Sequence, residues 1–379
     1  MTWPTVKLRE IATAHYGKAL KRENRDESGS FDVFGSSGIV GRHSEPVVKH
    51  PTLVVGRKGS VGEVIWAPNG GWIIDTAYFL ELKDTKAIDL RYLYYALKRA
   101  NLDRRTITTS IPGLNRDDLY DSYLPLPPIK EQKRIATILD KGDAIRRKRQ
   151  QAIHLADEFL RAVFLDMFGD PQANPGDWEF KSVSECLAQE IILHVQDGNH
   201  GNDHPKVSEF VKEGIPFITA NVIRRGKVLF DRCYYLGGEW LHRLRIGFAK
   251  PRDVLISHKG SLGFTAVLDD EFENYILSPQ TTYYRVDETR LIPEYLKAYF
   301  DSTYFQRLFE KEGIQSTRAY LGITRQKDLP IMLPTMQKQR EYVAVSNNFR
   351  DMMEKIVASS GDLPRCFDSL SQKAFSGKL

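Results

Sequence analysis

The chain has 379 residues, 41% hydrophobic and 27% charged, a length and mix expected of a soluble protein with two or three domains and real cores. Its net charge of +5 and pI near 8.8 suit a nucleic-acid partner without demanding one. A membrane protein and a disulfide scaffold are excluded as expectations: no window of about 18 uninterrupted apolar residues occurs, and Cys186, Cys233 and Cys366 lie far apart with no CxxC.

The opening segment MTWPTVKLRE has no apolar signal core, so a cytoplasmic location with reduced thiols is expected. The basic run KALKRENR at 18–25 lies near Tyr16, Phe31 and Phe34. PTLVV, read as a strand, leads into GRKGSVG at 56–62. The glycines permit a tight positive-φ turn, and its N–H groups together with Lys58 offer a phosphate cradle. A plain strand-joining turn with a solvated lysine is the competing reading, and the GxxxxGK[ST] phosphate loop is absent. IIDTAYFLELK at 73–83 has Asp75 and then ELK, too closely spaced for the two-strand carboxylate arrangement of a nuclease. IDLRYLYYALKR at 88–99 reads as a helix, followed by DRR at 103–105.

LPLPPIKEQKRIATILDKGDAIRRKRQ at 124–150 then opens a long basic helix. Prolines 125, 127 and 128 fit its first turn, where a missing N–H costs nothing. Ile135, Ile138, Gly142, Ile145, Arg149, Ala152, Ala156, Phe159 and Val163 follow the alternating three–four spacing of a coiled-coil seam. Gly142 and Arg149 are poor seam residues. Beyond Trp178, HVQDGNHGNDH offers His194, Asp197, His200, Asp203 and His204. Metal binding is conceivable by ligand type, but the glycine, asparagine and aspartate content favours a loop facing a polar partner. IRRGK at 223–227 and RLR at 243–245 add basic loops. DVLIS leads into SHKGSLG at 257–263, and 292–312 reads as a second helix.

The chain repeats itself. LPPIKEQKR at 126 returns as LPTMQKQRE at 333, 207 residues later (333 − 126), and the same offset carries Phe168 onto Phe375. It also carries the seam onto Tyr342, Val345, Phe349, Met352, Ile356, Ser359, Leu363, Cys366 and Leu370. Gly361 and Pro364 are expected to kink this second helix. GRKGSVG returns as SHKGSLG, LRYLYYALK as PEYLKAYFD, and Trp3 before VKL as Trp178 before FKSV. The layout is globule, helix, globule, helix at 1–126, 127–169, 170–333 and 334–379. The globules diverge while the helices keep one length, which suggests two variable readers on a fixed frame. Their fold class is α+β. No methyltransferase cofactor loop and no Ser/His/Asp order is present, so no catalytic centre is expected.

These features, with the terminal LSQKAFSGKL, IIDTAYFLEL after the first turn and GIPFITANVI after DGNHG, resemble the DNA-specificity subunits of type I restriction–modification systems over essentially the whole chain. The resemblance implies a non-catalytic subunit in which two target-recognition domains each read half of a bipartite site in double-stranded DNA. The two helices would pair as an antiparallel coiled coil and set the gap. Two methyltransferase subunits would dock on them and bring S-adenosylmethionine, this chain binding no cofactor or metal itself, and restriction/motor subunits would join through them. The alternatives are a specificity subunit of a related type II-like enzyme, a stand-alone nuclease, or a coiled-coil scaffold without DNA. Candidate DNA contacts are Lys18, Lys21, Arg22, Arg57, Lys58, Ser60, Arg104 and Arg105 in the first globule. In the second they are Asn199, His200, Arg224, Arg225, His258, Lys259 and Ser261. Candidate helix-pairing and docking residues are Ile135, Ile138, Ile145, Phe159 and Val163 with Val345, Phe349, Met352, Ile356 and Leu370.

Overall fold

Residues 3–105, 113–200, 204–313, 320–358 and 363–378 are described by the computed structural model. They divide into two units, 1–151 with 360–379 and 152–359, so each unit takes part of both long helical segments. The first helix runs Ile129–Phe168. The second segment is two helices, Met336–Ala358 and Leu363–Phe375, with 359–362, where Gly361 was expected to kink it, outside the described residues. The 207-residue offset holds at both ends, from Ile129 to Met336 and from Phe168 to Phe375.

In the first unit, Thr52–Gly56 is buried at every position, as befits a strand with neighbours on both sides. It lies between Ala77–Leu82 and Val64–Ala67, and Ala12–Tyr16 completes an antiparallel sheet of four. A three-stranded sheet of Gly38–His43, Phe31–Gly35 and Trp72–Ile73 accompanies it. The helix read at 88–99 is Leu90–Arg99, started by Asp89, whose side chain accepts from the Tyr92 N–H. Its Leu93 and Leu97 share a core with Leu53, Val55, Tyr78 and Leu80, and with Ile135, Leu139 and Ala374 from the long helices.

The second unit repeats this plan. Val254–Ser257 is the buried central strand, between Thr281–Val286 and Thr265–Val267, with Ile192–Asp197 at the edge. A second sheet orders Tyr234–Leu236, Ile215–Ile218, Tyr275–Leu277 and Phe248–Ala249. The single helix expected over 292–312 is two, Pro293–Asp301 and Thr303–Gly313. Ser302 between them is extended, with φ −62° and ψ 147°. Its Oγ accepts from the Phe305 N–H and so caps the second helix.

The glutamine of each proline–glutamine motif is a buried pin. Gln132 accepts from the Asp89 N–H at 2.9 Å and donates to the carbonyls of Ala87 and Pro127 at 2.9 and 2.8 Å. Gln339 accepts from the Ile292 N–H at 2.9 Å and donates to Pro334 at 2.9 Å and Arg290 at 3.4 Å. The tryptophans are a second matched pair. In the first unit Trp3 Nε1 donates to Ala374 O at 3.2 Å, and in the second Trp178 Nε1 donates to Phe168 O at 2.9 Å. Tyr92 meets Phe375, and Tyr295 meets Phe168, with ring centroids 5.4 and 5.1 Å apart.

The buried stripe of the long helices runs through Gln132, Ile135, Leu139 and Asp143, and again through Gln339, Tyr342 and Ser346. Its Ile135 and Leu139 lie in the core of the first unit and Tyr342 in that of the second, where the glutamine pins help fix how each helix is turned. Ile135 is buried, and Ile138, Val163, Phe349 and Leu370 are half-buried. Ile145, Phe159, Val345 and Met352 remain between 41% and 51% exposed. The Ile356 side chain lies outside the described part of the structure. Within the second unit Phe159 faces Phe349 with centroids 4.5 Å apart, and Phe164 faces Tyr342 at 5.7 Å. Within the first, a Cβ on Gly142 would come 2.9 Å from Phe367 Cδ2, so the small residue makes room for that ring.

Candidate nucleic-acid interface

The repeated KGS turn has one geometry in both units. Gly59 and Gly62 have φ of +80° and +76°, and Gly260 and Gly263 have +79° and +80°. Such values are natural for glycine and costly for other residues, so the spacing of the two glycines is dictated by the backbone. Lys58 bridges Gly113 and Lys259 bridges Tyr320, while the N–H groups of Leu114 and Leu321 donate to Arg57 O and His258 O. Several of the turn's own amides are already engaged. Arg57 and Lys58 donate to Thr76 O and Gly62 to Gly56 O, and in the other unit His258 donates to Gln280 O and Gly263 to Ser257 O. What each turn presents outward is therefore chiefly an exposed lysine, Lys58 or Lys259, with Ser60 exposed and Ser261 half-buried. Neither lysine has a carboxylate partner among the described residues.

Strand register then defines the surroundings. Gly56 pairs with Ala77 as Ser257 pairs with Thr281, and Tyr16 pairs with Tyr78 as Asp197 pairs with Thr282. Tyr16, Arg57, Tyr78 and Arg116 in the first unit thus correspond to Asp197, His258, Thr282 and Ile323 in the second. The Arg57 guanidinium sits 5.0 Å from the Tyr16 ring centre and 6.0 Å from that of Tyr78, and Arg116 sits 5.2 Å from Tyr16. These are cation–π distances. Arg57 Nη1 also donates to Asp75 O at 3.2 Å, so Asp75 serves through its backbone.

In the second unit His258 is completely buried, so its ring is not offered to a partner as expected of a DNA contact. It lies between the central strand and Thr282, with Nδ1 2.6 Å from Thr282 Oγ1 and Nε2 without a partner among the described residues. Thr282 in turn accepts from Gln326, which accepts from the Tyr284 hydroxyl. Burial pushes the His258 pKa down to about 4. The unfolded chain therefore takes up a proton near pH 6.5 that the folded chain refuses until about pH 4. This stability is present above pH 6.5 and is lost as the pH falls through that window. Between pH 7 and pH 5 the urea-unfolding free energy of the second unit should fall by about 2 kcal/mol on this account. His258→Asn should flatten that part of the pH dependence; an unchanged slope would refute the assignment.

The other candidates are dispersed. Lys18 is exposed beside Trp72, whose Nε1 donates to Lys18 O at 2.8 Å. Lys21 pairs loosely with Glu23 at 3.7 Å, and Arg22 is exposed in a short 3-10 turn. Asn199 is half-buried, and His200 is exposed and paired with Asp197 at 2.7 Å. Arg224 is tied to the carbonyls of Ala220 and Ile223 and covers Phe264, whereas Arg225 has φ +53° and lines a cavity of about 370 Å³ with Arg161 and Arg350. The side chains of Arg104 and Arg105 lie outside the described part of the structure, as does Asp203. Among the described residues no three His, Cys, Asp or Glu are placed to hold a metal ion, and no helix is long and apolar enough to cross a membrane. Arg116 was not among the residues singled out from the sequence, and Asp197 was weighed there only as a possible metal ligand. Strand register brings Asp197 beside the turn and the bridge at Lys58 brings Arg116, although GLNR after the first turn and YLGI after the second were available as a repeat.

Two α+β units that carry the same lysine turn in the same register, joined to repeated long helices, define a class of internally duplicated α+β protein. Residues 1–155 match the model of the type I restriction modification DNA specificity domain. The chain is similar to the MjaVIII specificity subunit of Methanocaldococcus jannaschii, 22% identical over 82% of this chain and 74% of that one. It is also similar to the EcoBI specificity subunit of Escherichia coli, 23% identical over 86% and 73%. The crystal structure of the S subunit from M. genitalium shares the fold, with a TM-score of 0.64 at 16% identity over 99% of this chain and 96% of that one.

Proposed function

We propose that this chain is the DNA-reading subunit of a type I restriction–modification complex. Residues 1–126 and 170–333 are target-recognition domains, each reading one half of a bipartite site in double-stranded DNA. The spacer segments 127–169 and 334–379 pair antiparallel and set the gap between the half-sites. In support, Phe159 faces Phe349 and Phe164 faces Tyr342, partners that run in opposite directions along the chain. The exposed apolar residues Ile145, Val345 and Met352 are then docking surface for two methyltransferase subunits, which bring S-adenosylmethionine, with restriction/motor subunits joining through them. This chain performs no chemistry itself.

The observation that carries this reading is one lysine turn kept twice while its neighbours differ. A lysine that meets phosphate gives affinity without sequence information, and the variable neighbours are free to read bases. The test is domain replacement. Exchanging 1–126 for the matching region of a relative should change one half of the methylated motif, read by methylome sequencing, and leave the other half and the gap intact. A change in both halves, or in neither, refutes independent reading.

A further inference from the structure

The comparison of the two units separates what a duplex offers everywhere from what it offers only at certain sequences. Phosphates are uniform along DNA, so a phosphate contact belongs in both units, and Lys58 and Lys259 recur at equivalent positions. Base edges differ, so a base contact belongs to one unit. Around the first turn, what does not recur is a pair of guanidiniums on one tyrosine. Arg57 and Arg116 lie 5.0 and 5.2 Å from the centre of Tyr16, which is itself 49% exposed. Their counterparts are His258, which is buried, and Ile323.

The stack has the properties of a pre-set reader. Arg57 lies over Tyr16 and beside Tyr78, whose rings are themselves 5.1 Å apart, and donates to Asp75 O at 3.2 Å. Arg116 occupies the first position of the short helix Arg116–Tyr120, whose start is fixed by Asn115 accepting from the Asp118 N–H at 2.8 Å. Neither arginine has a carboxylate partner among the described residues, so no ion pair has to be broken before they bind. A guanidinium stacked on a ring keeps its plane while its N–H groups point outward. In the major groove that planar fork matches the O6 and N7 acceptors of guanine; adenine, which offers one acceptor and one donor, suits Asn or Gln instead.

We propose that Arg57 and Arg116, positioned by Tyr16, are base-reading residues of the first target-recognition domain and that they take guanine edges. The half-site read by residues 1–126 therefore contains at least one G·C pair that these arginines specify. The inference rests on the DNA-reading function proposed above.

The full chain, assembled with its modification subunits, is challenged with duplexes whose half-sites are randomised, and the bound fraction is sequenced. The wild type should select G·C in the first half-site. Arg57→Lys and Arg116→Lys keep the charge and lose the fork. Each should lower the preference for G·C at one position by roughly tenfold or more, with the second half-site unchanged. Lys58→Ala should weaken every sequence alike and reduce the salt slope. Selection of a first half-site without G·C overturns the inference while leaving DNA reading intact. So does an unchanged motif in a folded double-lysine variant, or a uniform loss of affinity in that variant. Failure of the wild type to select any sequence overturns the proposed function itself.

Discussion

Arg285→Leu should destabilise the second unit by about 3 kcal/mol, because it would leave a carboxylate stranded in the interior. Asp253 is 1% exposed, and Arg285 clamps it from two sides, Nε to Oδ1 at 2.8 Å and Nη2 to Oδ2 at 2.7 Å. The Lys250 N–H adds a third bond at 2.7 Å. Burial raises the Asp253 carboxyl above its ordinary pKa, and the hydrogen bonds from Arg285 oppose that shift. The lower end of the range for a broken buried pair applies, since the arginine side chain is 30% exposed. Removing both charges in Asp253→Asn/Arg285→Leu should restore at least half of the loss in a urea titration. A double variant as unstable as Arg285→Leu would mean that packing, not the stranded charge, sets the cost.

Gln132→Leu and Gln339→Leu should each cost the corresponding unit about 3 kcal/mol. Leucine fills a similar volume but leaves a partly buried N–H, of Asp89 or Ile292, and at least one buried carbonyl without partners. For a unit of this size that corresponds to a fall of roughly 6–12 °C in Tm. Gln→Glu keeps the acceptor for the N–H and loses both donated bonds, so it should also destabilise. If both leucine variants melt within a degree or two of wild type, the pins are incidental and the proline turns alone orient the helices. These substitutions touch no proposed DNA contact. A variant that remains folded should therefore keep its half-site preferences.

The frame was legible in the sequence because it is written as period and repetition. The proline–glutamine motif, the 207-residue offset and the paired tryptophans all survive as matched contacts, in Gln132 with Gln339 and in Trp3 with Trp178. The facing of the helices was less legible. Apolar spacing located Ile135 and Tyr342, but the stripe also contains Gln132, Asp143 and Ser346, polar residues that no hydrophobic pattern would choose. The break at Ser302 depends on one serine leaving helical φ/ψ to cap its successor, a choice that the apolar spacing of 292–312 conceals. In the candidate interface the lysine turns were found by repetition alone. The partners of Arg57 were not, because Tyr16 and Arg116 are far from it in sequence and meet it only through strand pairing and the bridge at Lys58. His258 was chosen for its position in a repeated turn, and burial decides otherwise for it.

The discontinuity of the first unit has a consequence for biosynthesis. Ala374, Phe367 and Phe375 belong to the core built around Leu53, Leu93 and Ile135, yet they are translated roughly two hundred residues after the rest of that unit. At ribosomal speeds of about 5–20 residues per second, the nascent first unit must wait some ten to forty seconds for its last apolar contacts. The second unit is a single stretch of chain and is complete before they emerge. The order of maturation is thus the reverse of the order of the code. During that interval the first unit exposes the apolar surface that the late helix will cover.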